Sequence, residues 1–268
     1  MTTQSSFKDF YMSTPLTNPT LELIHAHGSV RHYLPDPLPL EMIEAIVVAG
    51  QRASTSSNMQ SCSVVAVTDA AKRARLSELC GGQKHVAEAP LFLTWCADLA
   101  RMDRICQLQG YTQVTEYTEN FLIAAVDAAI AAQNAALAAQ SLGLGICYIG
   151  SIRNNLPEVI ELLALPRLVF PVTGMTIGWP QRKPLLRPRL PLSAMLHWET
   201  YQPDQDAALQ EYDQVMLAAG IYDNRQQTPA KPGEPSRDGW LERSARRASQ
   251  TVRATLRAVI EKQGFGLK

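Results

Sequence analysis

Apolar positions along the chain switch repeatedly between a helical and an extended period. In TLELIHAH, Leu21, Leu23 and Ile24 fall at partly helical spacing, and the VRHYLP that follows is β-like up to a proline. Gly28 is therefore expected to stop a helix and open an extended segment. Over 39–53, Ile43, Ile46, Val47 and Gly50 share one helical face, and the polar run STSSNMQS then ends the pattern, so a helix feeds a hydroxyl-rich loop. SVVAVTD (63–69) predicts a strand, KRARLSELC a helix and PLFLTWCAD (90–98) a second, buried strand. The segment 120–142 is apolar nearly all round with alanine predominating, which predicts a long helix at the centre of the protein. CYIGS (147–151) predicts a short strand, and Asn154 or Asn155 as N-cap ahead of Pro157 and Glu158 a helix start. FPVTGMTIGWP (170–180) predicts another strand, with glycines where something approaches the backbone closely. QRKPLLRPRLP is too punctuated for a regular element. A helix around 204–219, a Pro/Gly-rich loop near 228–239 and one final basic helix beginning at Trp240 complete the chain. Periodicity alone describes a generic α/β protein.

Composition narrows this. A chain of 268 residues can bury a substantial core, and we expect a polar extension over 1–18 followed by a single domain over 19–268, whose last part, about 204–268, is an excursion. With 25 basic and 25 acidic residues there is no global field toward nucleic acid or an anionic membrane, so neither is an expected partner and any anion site must be local. Asp127, Gln133, Asn134 and Gln140 interrupt the long apolar segment and argue against a membrane span. The N-terminal residues lack a basic start followed by an apolar core, so no secretory signal is expected. Five cysteines, odd in number and without a CxxC pair, predict reduced thiols in a cytoplasmic protein.

Common chemical signatures fail. There is no P-loop, GLGICYIG has the wrong spacing for a dinucleotide fingerprint, and no HExxH, Cys/His quartet or GxSxG occurs. What remains is basic groups at three places, HGSVRH (27–32), GGQKHVAEAP (81–90) and RPRLP (187–191), with the hydroxyl-rich loop and YIGS between them. HGSVRH by itself is either an ordinary turn with solvated cations or a phosphate site. Phosphate wants arginine and backbone donors, and a flat heterocycle wants apolar faces with polar groups at one edge.

Together with AAQNAALAAQSLGLGICYIGSIRNNL, GWPQRKPLLRPRLP and ETYQPDQDAALQEYD, these stretches make the chain resemble the nitroreductase superfamily of FMN enzymes. The likeness is to its oxygen-insensitive NADPH nitroreductase and flavin reductase group, over roughly 21–213. The resemblance implies an α+β fold, with a central, mainly antiparallel sheet flanked by helices, built as an intertwined homodimer with FMN at the subunit interface. It implies that His27, Ser29 and Arg31 hold the FMN phosphate and ribityl with Arg187 and Arg189. Ser56, Ser57 and Gln60 lie along the ring system and Gln83 touches it. Tyr148, Ile149 and Gly150 face its N5 and O4 edge, with Arg153 and Asn154 just beyond. Gly28 stands where relatives carry arginine, and Arg187 where lysine is common. FMN is expected to bind non-covalently and to pass electrons from NADPH to nitroaromatics, quinones or similar small acceptors by a ping-pong mechanism. No residue is implied as a proton-transfer base. Arg225 and Arg237, in a loop that also holds Lys231, are candidates for the NADPH 2′-phosphate. The alternatives are a flavin reductase supplying reduced FMN to a partner, and a flavin-binding protein without turnover.

Overall fold

The computed structural model describes residues 16–222 and 238–268. Four strands, β1 (Cys62–Val67), β2 (Leu91–Asp98), β3 (Gly145–Ile149) and β4 (Val169–Gly178), form a single sheet in the order β1-β2-β4-β3, with every neighbouring pair antiparallel. The sheet is therefore α+β in character, as the resemblance implies and not as the generic α/β reading has it. Apolar period could not decide this: every residue of β2 is buried, and a strand covered on both faces reads alike in parallel and antiparallel sheets.

The helices are α1 (Pro19–His25), α2 (Leu40–Gln51), α3 (Ala70–Leu79), α4 (Lys84–Glu88), α5 (Ala100–Gln109), α6 (Thr118–Ser141), α7 (Leu156–Leu162), α8 (Asp206–Ala218), α9 (Trp240–Ala248) and α10 (Leu256–Lys262). Helices α2 and α6 cover one face of the sheet, where Ile43, Ile46, Ala132, Ala135 and Ala136 pack on Leu93, Trp95, Ile146 and Met175. On the other face Leu76, Val86, Ile152 and Val159 pack on Val67, Phe92, Cys147 and Ile149. The strand glycines are where the pattern predicts close approach: a Cβ on Gly174 would stand 2.4 Å from Phe92 Cζ, and one on Gly178 2.5 Å from Pro90 Cδ.

Contacts divide the described chain into two compact units. The larger comprises Leu23–Leu185 and Arg253–Lys268 and contains the sheet; the smaller draws on the segment through Glu22 and on Leu186–Val252. In the smaller unit, Tyr212 of α8 meets Trp240 of α9 edge to face at 5.1 Å. Asp213 accepts the Leu241 N–H at 2.8 Å, a carboxylate on the amino end of α9.

Several local expectations need correction. Helix α1 ends at His25, and Gly28 is not among the left-handed glycines; it is a close-approach position, where a Cβ would lie 2.8 Å from Pro184 Cβ. The strand expected over 147–151 lies two residues earlier, because Gly150 opens a 3-10 turn through Arg153. Asn155 precedes α7, but its side chain donates to the Leu79 carbonyl at 2.7 Å instead of capping the helix. The single final basic helix is two helices, broken where Arg253 takes φ 55°. Helix α6 is not buried all round: Leu122, Val126 and Ile130 are 54, 45 and 41% exposed along one stripe.

Candidate active site

HGSVRHY is held as an added edge segment of the sheet. The Val30 N–H donates to Ile146 O at 2.9 Å, Tyr33 bridges Pro180, the Leu34 N–H donates to Trp179 O at 2.9 Å, and Gln181 N–H donates to His32 O at 3.0 Å. Val30 and Tyr33 are buried, and Arg31 and His32 are left exposed between them. Tyr33 fixes the register: its hydroxyl donates to Val30 O at 2.8 Å and lies 2.8 Å from Thr176 Oγ1, and burial pushes its pKa well above the ordinary tyrosine value. His27 Nδ1 is 3.2 Å from Gln140 Oε1, which ties the ring to α6. No ion pair to Arg31 occurs among the described residues, which leaves its guanidinium available to an anion. Beside this segment His85 is buried with Nε2 unpartnered; burial lowers its pKa, and the cations Arg31 and His32 lower it further against the opposing Glu88.

The carboxyl end of β3 continues into the Gly150–Arg153 turn. Tyr148 donates to Gln133 Oε1 at 3.3 Å, and burial pushes its phenol up to about 12, so it stays protonated. Gln83 donates its amide to Cys80 O at 3.0 Å and to Ser151, tying the 80–83 turn to this one. Arg153 donates to Val172 O. Arg253 donates to Gly150 O at 3.1 Å and, through Nε and Nη2, to Asn154 Oδ1 at 3.1 and 3.0 Å. Desolvation and then the neighbouring Arg253 charge lower the pKa of Arg153.

The structure brings His27, Ser29 and Arg31 alongside β3, and it joins Gln83, Gly150, Arg153 and Asn154 at the end of that strand. It does not bring Ser56, Ser57 and Gln60 there. Their loop enters β1, at the opposite edge of the sheet from β3, three strand spacings or about 14 Å away. Arg187 and Arg189 lie exposed on a loop of the smaller unit, where Arg189 donates to Arg187 O at 3.1 Å and Tyr212 donates to Pro188 O at 3.0 Å. Arg225, Lys231 and Arg237 lie outside the described residues. Burial raises the pKa of the Cys62 thiol, and pushes Cys80 up to about 11 and Cys96 to about 12, which keeps these three protonated.

Sequence reasoning passed over Tyr33, Gln133, Gln140 and Arg253. Gln133 and Gln140 are polar breaks in an alanine-rich helix, and that signal could have marked them; Arg253 carried none.

A family model described as the nitroreductase family matches residues 24–179, and its C-terminal domain matches 187–268. The chain belongs to the nitroreductase family. Among relatives, an oxygen-insensitive NADPH nitroreductase of Salmonella typhimurium is 39% identical over 251 residues, 94% of this chain and 100% of the relative. An FMN reductase [NAD(P)H] of Bacillus subtilis is 37% identical over 252 residues, 92% of this chain and 98% of the relative. Among solved structures, the NADPH:FMN oxidoreductase of Vibrio harveyi complexed with NAD+ superimposes with a TM-score of 0.83 at 35% identity. It covers 94% of this chain and 100% of that one. Nitroreductase A of Vibrio parahaemolyticus gives 0.84 at 36% over the same shares. Membership in the nitroreductase family accounts for the antiparallel sheet flanked by helices.

Proposed function

We propose that this nitroreductase-family protein is an NAD(P)H-dependent FMN oxidoreductase of the cytoplasm. It acts as a homodimer and reduces small electron-poor acceptors such as nitroaromatics and quinones by a ping-pong mechanism. The observation that carries the reading is the exposed Arg31, without an ion pair among the described residues, held between buried Val30 and Tyr33, beside Ser29 and His27 and tied through the Val30 N–H to β3, the strand that runs on into the Gly150 turn. The donor chemistry fits FMN: a planar guanidinium, a hydroxyl and an imidazole for a phosphate, and a strand end with an unobstructed glycine for a flat ring. Bound FMN would supply the two-electron chemistry between nicotinamide and acceptor. The chain's own residues bind and orient. Arg31 anchors, Gln83 and Arg253 hold the Gly150 turn, and Tyr148, a protonated phenol, serves as packing and not as a base. Arg187 and Arg189 belong to the same proposal as further phosphate contacts.

The exposed stripe of Leu122, Val126 and Ile130 on α6 supports the homodimer, and through it the participation of the 56–60 loop, which one chain holds away from its own β3. Purified protein is expected to release FMN on heating. Initial rates with NADPH against a nitroaromatic are expected to give parallel double-reciprocal lines; converging lines overturn the ping-pong reading, and a protein that ignores added FMN overturns the whole. Arg225→Ala or Arg237→Ala is expected to raise the KM for NADPH several-fold and leave that for NADH nearly unchanged, because only NADPH carries the phosphate partner.

The names of the Bacillus subtilis and Vibrio harveyi relatives favour a second reading, a reductase for free flavin. Faster turnover of added FMN than of any nitroaromatic would select it.

A further inference from the structure

Midway along α6 a carboxylate stands among alanines. Asp127 is 2% exposed, and its helical neighbours Ala124, Ala128 and Ala131 are buried with it. A carboxylate this deep must be met by donors. Both oxygens are: Oδ1 accepts the Ser56 N–H and Oδ2 the Ser61 N–H, each at 3.1 Å. Between those two amides the backbone is strained, with Ser57, Asn58 and Gln60 at φ 49°, 56° and 54°. Left-handed backbone at three non-glycine residues so close together persists only where the surroundings over-determine it, and such strain gathers where a ligand is gripped. The second grip comes from α5. Arg101 donates to Gln60 O at 2.8 Å and to Cys62 O at 3.3 Å, while its other nitrogen reaches Ser63 Oγ at 2.8 Å and Asp98 at 3.4 Å. Two charged groups thus shape a short loop whose Ser56, Ser57 and Gln60 side chains all face solvent.

We propose that Asp127, seconded by Arg101, is a positioning residue that holds the 56–61 loop in the conformation that receives the flavin ring system. Asp127 touches no ligand and acts through the Ser56 and Ser61 amides. The inference rests on the flavin reading above.

The test is titration of flavin-stripped protein with FMN and with riboflavin, followed by fluorescence quenching, alongside thermal unfolding of the stripped protein. Asp127→Asn keeps one carbonyl acceptor and turns an amino group toward the other N–H. It is expected to weaken FMN and riboflavin by the same factor, about tenfold or more, because the ring and not the phosphate loses its seat. Arg101→Gln is expected to weaken both by a smaller common factor. Unchanged affinity for both flavins in both variants, whatever happens to the stripped protein's Tm, overturns the proposal by assigning Asp127 a purely structural role. A loss confined to FMN overturns it too, since that pattern belongs to a phosphate contact. Should Asp127→Asn fail to fold, Arg101→Gln decides by the same criteria, its side chain being half exposed. A parent protein that takes up neither flavin defeats the underlying reading instead.

Discussion

Arg31 and His85 sit side by side yet respond to opposite tests. Arg31 is exposed and has no ion pair among the described residues, so Arg31→Ala is expected to remove the proposed charge-assisted contact to a phosphate, about 1.5–3 kcal/mol, and to leave the fold alone. FMN affinity is expected to fall roughly ten- to a hundredfold with riboflavin affinity unchanged. Equal losses for both flavins would place the phosphate elsewhere. His85 is buried, and its pKa in the folded protein lies below the ordinary 6.5 of the unfolded chain. Above 6.5 the ring is neutral in both states and the fold is at full strength. As pH falls below 6.5, the unfolded chain binds a proton that the native state resists, so stability is lost toward the lower, native pKa. Urea midpoints measured from pH 7.5 downward are expected to drop through this window, and His85→Gln to flatten the drop. Gly28 stands where relatives carry arginine, and in this chain Pro184 occupies the space a side chain there would need. Restoring arginine at 28 therefore displaces the 180–185 segment before it adds a charge, and a lower Tm is the expected readout.

Helix α6 shows how far an element could be read in advance. Its existence and its alanine face follow from periodicity, and so does a place at the centre of the protein, but not the choice of β2, β3 and β4 as the strands it packs on. Its polar residues speak against a membrane span in the sequence, but their partners are not legible there. Asp127 meets Ser56 and Ser61, Gln133 meets Tyr148, and Gln140 meets His27, at separations of 71, 66, 15 and 113 residues. Local pattern places a donor or acceptor on a helix; only the folded chain chooses what it meets. Strand glycines are legible for the opposite reason, because a missing side chain in an apolar run is itself the signal. Gly174→Val forces a branched side chain onto the Phe92 ring, and overpacking of about 1–3 kcal/mol is expected, read as a lower denaturation midpoint with an unchanged slope. The break at Arg253 had no such signal, since nothing in SQTVRATL interrupts a basic helix.

At the scale of the whole molecule, α6 has two apolar faces, and among the described residues only one of them is covered. Val126→Arg with Ile130→Asp is expected to shift the protein to monomer in sedimentation and to weaken flavin binding in parallel; dimer with intact binding would reject the stripe as the subunit contact. The candidate residues were legible as motifs, but their distribution was not: the hydroxyl loop and the β3 turn occupy opposite edges of one sheet because strand order differs from chain order.

The return of the chain at Arg253 has a consequence for synthesis. Ile260 and Phe265 complete the cluster around Leu156, Leu168 and Phe170, while Gln263 donates to Pro166 O at 2.7 Å and Val169 O at 2.9 Å and accepts the Leu168 N–H at 2.7 Å. The strand β4 is thus buttressed by residues that leave the ribosome some ninety positions after it. A nascent chain paused before Arg253 carries all four strands but lacks the Gln263 contacts to Pro166, Leu168 and Val169 and the Ile260 and Phe265 packing beneath them. Such arrested chains are expected to stay protease-sensitive around Pro166–Val169, and to become resistant only once the final segment has emerged from the exit tunnel.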